Sequence, residues 1–112
     1  IGNNVTIGAN TVICRGAIEN TIIMDNCVID TLCNISHNNV IGENSMIVAG
    51  ALTFGSVRIG ENSYVSGQTV IKNGVTIGSR AVVGMGSVVT QNIPDGQTVF
   101  GNPARILRSP AS

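Results

Sequence analysis

His37 is the only histidine of the chain, and it stands in the run Asn34-Ile35-Ser36-His37-Asn38-Asn39-Val40-Ile41-Gly42. An imidazole titrates near neutrality, which suits it to taking a proton from a nucleophile. A lone histidine equally fits an ordinary surface or structural group, and being single it sets limits. Zinc-dependent hydration chemistry needs several histidines, so no metal is expected. Asp25, Glu43 and Glu61 are carboxylates that either form an acidic substrate site or are simply solvated. Cys14, Cys27 and Cys33 complete the reactive groups, and no base stands beside them to activate a thiol. Gly84-Met85-Gly86 is glycine-rich, but it belongs to the repeat that runs through the chain and is not a phosphate loop.

That repeat is what must position these side chains. Steps of six residues from Ile1 reach Ile7 and Ile13. After an offset of four residues at Glu19-Asn20-Thr21-Ile22 they run from Ile23 to Val89. Of these 15 positions 14 are Ile or Val, and Thr53 is the exception. Four residues further on, most side chains are small or β-branched, as at Val5, Ala17, Cys27, Cys33, Ser45, Ala51 and Ser63. Three residues on, Asn or Gly fills 11 of the 15 positions, and these residues enter left-handed backbone at least cost. Each hexad therefore reads as a short strand closed by a tight corner.

Strands this short, each ending in a corner, coil three to a turn, so that residues 18 apart stack roughly 4.8 Å from each other. The expected fold is an all-β parallel β-helix of about five coils over residues 1–92, about 24 Å tall. The register ends at Ile93-Pro94-Asp95-Gly96, a turn signal, so 93–112 are expected to form a C-terminal cap and a tail that frays from Ser109. The offset at 19–22 is expected to bulge as an external loop. The in-register start at Ile1 has no cap, which repeat proteins normally carry, and a further N-terminal domain is expected.

Counted in coils, one corner carries Arg15, His37, Gly55, Asn73 and Gln91. Gly55 then lies directly over His37, placing a base beside an open backbone N–H able to meet a developing oxyanion; alternatively, Gly55 only serves the corner. Asp25, Glu43 and Glu61 stack on another corner, where like charges persist because solvent screens them. Cys27 and Cys33 take inward positions and are expected to pack as small hydrophobes, with Cys14 at a corner.

Composition agrees. Fifteen Ile and 14 Val stand against three Leu, a balance that favours pleated surfaces over helices. With 43 % hydrophobic and 11 % charged residues the chain is neither disordered nor a coiled coil. No apolar run approaches the roughly 18 residues of a membrane span, and no secretory signal is visible. Six basic residues balance six acidic ones, so neither nucleic acid nor a membrane is expected as partner. Three cysteines without a disulfide spacing fit a reducing cytoplasm.

The hexads resemble those of the hexapeptide-repeat acyltransferases. The runs from Arg15 to Ile23 and from Ile35 to Asn38, with Gly84-Met85-Gly86, are similar to the UDP-3-O-acylglucosamine N-acyltransferases of lipid A synthesis. The tail from Val89 to Gly96 and Gly101-Asn102-Pro103-Ala104-Arg105 resembles the sialic-acid O-acetyltransferases and the N-acetyltransferases of nucleotide-linked amino sugars. This resemblance implies a left-handed coil, an exception to the usual right-handed crossover, and a homotrimer with the donor in a groove between subunits. It implies His37 as general base and the amide of Gly55 as acyl-carbonyl holder. Gly67, Lys72, Arg80, Met85 and Arg105 would then meet the coenzyme, and Arg15 and Asn38 the acceptor. The implied donor is acetyl-CoA and the implied acceptor an amino-sugar nucleotide, with an acyl carrier protein donor or a catalytically silent trimeric scaffold as alternatives. One departure from many acetyltransferases stands out: the residue after the histidine is Asn38 and not an acid, as in the lipid A enzymes, whose helical C-terminal extension is not expected in the 93–112 tail.

Overall fold

Each hexad folds as a two-residue strand followed by a four-residue corner, and the strands lie on three faces. The structure, a computed structural model, describes residues 1–16 and 19–108, with the backbone alone at Arg108; Ala17 and the tail from Ser109 lie outside the described residues. The first face carries β1 (Thr6–Ile7), β4 (Val28–Ile29), β7 (Met46–Ile47), β10 (Tyr64–Val65) and β13 (Val82–Val83). It continues into β15 (Thr98–Gly101) and β16 (Ala104–Arg108). The second carries β2 (Val12–Ile13), β5 (Asn34–Ile35), β8 (Leu52–Thr53), β11 (Val70–Ile71) and β14 (Val88–Val89). The third carries β3 (Ile22–Ile23), β6 (Val40–Ile41), β9 (Arg58–Ile59) and β12 (Thr76–Ile77). This is a three-sided parallel β-solenoid of about five turns, with no helix among the described residues.

Partners on a face stand 18 residues apart, as Met46 and Tyr64, Leu52 and Val70, or Arg58 and Thr76 do. Only β1–β4 and β2–β5 span four residues more, pairing Thr6 with Val28 and Val12 with Asn34. The extra residues therefore sit between β2 and β3, as the offset predicts. Every ladder residue from Ile23 to Val89 is at most 2 % exposed, so the hexad phase is correct. At the N-terminal end Ile1 is 76 % and Ile7 38 % exposed.

The ladder does not stop where the hexad spelling stops. Ile93 is buried and bridges to Ile77, and Val99 is buried and pairs with Val83. The corner after β14 is two residues short, after which the six-residue step resumes, so 93–99 continue the solenoid wall. The antiparallel β15–β16 hairpin then lies along the first face. Corner conformation marks both changes of register. Nine of the 11 Asn and Gly corner residues have φ between +55° and +77°. The two without positive φ are Gly16, at the insertion, and Asn92, at the shortening. No helix long and apolar enough to cross a membrane is present among the described residues.

Candidate active site

His37 follows β5 and Gly55 follows β8. Because Ile35 pairs with Thr53, the two residues meet at the corner between the second and third faces. The Ser56 N–H donates to the His37 carbonyl at 3.0 Å, and the Gly74 N–H to that of Gly55 at 3.0 Å. The imidazole is exposed and lies against the Gly55 backbone: a Cβ there would stand 2.7 Å from Nε2 and 3.1 Å from Nδ1. The φ of Gly55 is not in the left-handed region, so close approach of the ring, and not the corner, is what demands glycine. The Gly55 N–H has no acceptor among the described residues. A base and a backbone donor therefore share one ledge, the arrangement that acyl transfer through a tetrahedral oxyanion requires.

Beneath the ledge lies a buried polar group that the hexad pattern hides. Asn39 and Thr53 are both fully buried. Thr53 Oγ1 donates to Asn39 Oδ1 and accepts from the Ser36 N–H at 3.2 Å. Asn39 Nδ2 donates to the carbonyls of His37 at 3.1 Å and Phe54 at 3.0 Å. Ser36 Oγ donates to the Thr53 carbonyl at 2.6 Å. The signal in sequence was the single Thr in the ladder and the single amide in the inward corner column.

The other predicted site residues divide. Arg15 is exposed one layer below His37, and Asn38, at φ 59°, donates its N–H to Thr21 Oγ1 at 3.0 Å. These two stand at the His37 corner. The five residues expected to meet a coenzyme do not converge within the chain. Lys72 leaves β11 beside Phe54 near the same corner, but Gly67 and Met85 stack on the corner between the first and second faces. Arg80 sits on the third corner, where its N–H donates to Glu61. Arg105, on β16, lines a cavity of about 330 Å³ with Gln91, Ile93, Pro94 and Ile106. Gln91 heads the His37 column, so the cavity lies three layers, or roughly 14 Å, from the imidazole.

Asp25 and Asp95 act as corner acceptors, taking the N–H of Asn3 and of Ser79 at 2.8 Å each, while Glu43 and Glu61 are exposed. The three cysteines are free. Cys27 donates to the Gly42 carbonyl at 3.0 Å and Cys33 to that of Val48 at 3.3 Å. Burial pushes both thiols above the usual cysteine range.

Stacked hexads with a histidine over a glycine define the class: the chain is built of hexapeptide repeats, and the bacterial transferase hexapeptide (six repeats) model matches residues 56–91. The chain is 62 % identical over 104 residues to the UDP-3-O-acylglucosamine N-acyltransferase of Rickettsia typhi (strain ATCC VR-144 / Wilmington). That match covers 93 % of this chain and 30 % of the relative, so the chain spans under a third of the curated relative's length. Among solved structures, the UDP-N-acetylglucosamine acyltransferase of Campylobacter jejuni superposes with a TM-score of 0.93 at 31 % identity, covering 95 % of this chain and 43 % of that one. PerB of Caulobacter crescentus, in complex with CoA and GDP-perosamine, superposes with a TM-score of 0.81 at 28 % identity, covering 92 % and 51 %.

Proposed function

We propose that this chain is the catalytic β-solenoid of an N-acyltransferase that acylates the amino group of a nucleotide-linked sugar, with UDP-3-O-acylglucosamine as the acceptor. The observation that carries the reading is the His37–Gly55 ledge in a chain 62 % identical to an enzyme named for that acceptor. The amine attacks the thioester carbonyl as His37 takes its N–H proton, and the Gly55 N–H donates to the oxyanion. Collapse breaks the C–S bond; the leaving sulfur takes the proton back from the imidazolium, giving amide and thiol. No acid follows His37, and Asn38 faces the acceptor with Arg15.

The donor is an acyl thioester, and two carriers are in view. The resemblance of the tail to the sugar acetyltransferases implies acetyl-CoA. The resemblance to the lipid A type implies acyl carrier protein, while the CoA held by PerB supports the coenzyme. Assaying both donors with one acceptor separates them. A homotrimer completes the reading. Val28, Met46, Tyr64 and Val82 line up outward on the first face, and Leu52, Val70 and Val88 on the second above Asn34, which gives two largely apolar faces for neighbouring copies. The coenzyme residues dispersed over one protomer then meet the donor from two subunits. The working compartment is the cytoplasm, where thioester donors are made and free cysteines persist.

The test is kinetic. In the whole protein His37→Ala lowers kcat roughly 10²–10⁴-fold with the trimer intact by sedimentation. Arg105→Ala instead raises the donor's KM with kcat held, because a contact equal in ground and transition states is uniform binding. A fully active His37→Ala protein leaves the silent scaffold as the better reading.

A further inference from the structure

Two positions break the interior pattern, and they break it together. Thr53 is the one polar residue among the 15 ladder positions. Asn39 is the one amide in the inward corner column, which otherwise holds Val, Thr, Ala, Cys or Ser from Val5 to Ser87. Burying a hydroxyl and an amide among aliphatics costs free energy unless each finds partners. Here they find one another and three backbone groups, those of Ser36, His37 and Phe54, beside the ledge.

Comparison with the other corners shows what the amide adds. At the same column Ser45 Oγ donates to the Gly60 carbonyl and Ser63 Oγ to the Gly78 carbonyl, each at 2.6 Å. Ser63 Oγ also lies 3.4 Å from the carbonyl two residues before it, that of Glu61. Two carbonyls, one in the same coil and one in the next, thus compete for a single hydroxyl hydrogen. An amide has two hydrogens. Asn39 gives one to His37 and the other to Phe54, the residue before Gly55, and so joins the coil of the base to the coil of the oxyanion donor. Thr53 fixes the amide from the opposite side by taking the Ser36 N–H and giving its own hydrogen to Oδ1. The group has no exposed atom, so it acts on substrate only through the backbone it holds.

We propose that Asn39 and Thr53 are a positioning pair that sets the separation of the His37 imidazole from the Gly55 N–H. The role in catalysis rests on the acyl-transfer reading above; the role in placing the imidazole does not. Val occupies the inward column at Val57 and Val75 and the ladder at Val65 and Val83, all buried, so Asn39→Val with Thr53→Val replaces the pair by residues the solenoid already accepts.

The experiment compares parent, Thr53→Ser and the Asn39→Val/Thr53→Val double variant by three readouts. Because His37 is the only histidine, its imidazole gives a single set of ring proton resonances. In the parent and Thr53→Ser that resonance is expected sharp and coincident; in the double variant it is expected shifted or broadened, with the melting temperature at or above the parent's. Turnover of the whole protein with an acyl thioester and UDP-3-O-acylglucosamine is expected to fall roughly 10–10²-fold in kcat in the double variant, with KM within about twofold and most of the rate kept in Thr53→Ser. An unchanged His37 resonance in a folded double variant overturns the positioning role outright. A displaced resonance with parental kcat overturns its catalytic use. If His37→Ala keeps its activity, the acyl-transfer reading fails while the resonance still decides the placement.

Discussion

Nε2 of His37 stands 2.7 Å from the point where a Cβ on Gly55 would lie, so the ring uses space that only glycine leaves open. Gly55→Ala is therefore expected to fold, since its φ lies outside the left-handed region, but to push the imidazole off the ledge. A displacement on the order of 1 Å of a catalytic group costs about 10²-fold. The kcat of the variant should fall by that factor, with the melting temperature within a few degrees of the parent's. Parental kcat in Gly55→Ala would mean that the ring does not work from this position.

Ile59 stacks between Ile41 and Ile77 and is 2 % exposed. Ile59→Ala should destabilise the chain by about 2–5 kcal/mol, the range for a large-to-small change in a packed core. Asn62→Gly, at an exposed corner with φ 55°, should shift stability by less than about 1 kcal/mol. Urea unfolding of both variants checks the pair.

Leu32 is 64 % exposed and holds φ at 59°, which strains a branched side chain. Leu32→Asn should raise the unfolding free energy by about 0.5–1 kcal/mol, seen as a higher urea midpoint. A lower midpoint would show that Leu32 is covered in solution.

Desolvation raises the thiols of Cys27 and Cys33, more than their backbone hydrogen bonds lower them. Above about pH 8.5 the unfolded chain ionises these thiols while the folded chain resists. Their contribution to stability is thus complete below that pH and is lost as pH rises through the folded values. Stability should decline on the alkaline side in the parent and decline less in Cys27→Ala/Cys33→Ala. Below the thiol range neither cysteine should react readily with thiol reagents, and half-buried Cys14 should be alkylated first.

The fold was legible because one period governs the chain: the stack of Ile41, Ile59 and Ile77 can be counted off before any coordinates are known. The corners were legible only in part. Asn and Gly announce left-handed backbone, yet Leu32, Ser56, Gln68 and Arg80 adopt it too, because the stacked coils on either side impose the corner on whatever residue falls there. The C-terminal turns were misjudged at Ile93. Pro94-Asp95-Gly96 reads as an ending, but a corner shortened by two residues brings Ile93 under the wall again. At the site, His37 and Gly55 came directly from the 18-residue count. Asn39 and Thr53 were visible as exceptions, but their meaning needs the hydrogen-bond geometry that joins coils. The residues expected to meet a coenzyme come from resemblance and not from register, and they scatter over three corners and β16.

The insertion before β3 and the shortening after β14 alter corners and leave the interior in phase on either side. Length along the strands is consequently fixed, while corners absorb a few residues more or fewer. A deletion of one residue within a strand turns the side chains that follow it to the other face, whereas removing a complete turn changes only the height of the prism. Segments can then be lost, gained or exchanged between distant members in units of one turn. The two consecutive turns that bear the histidine and its glycine form the one block that cannot be divided.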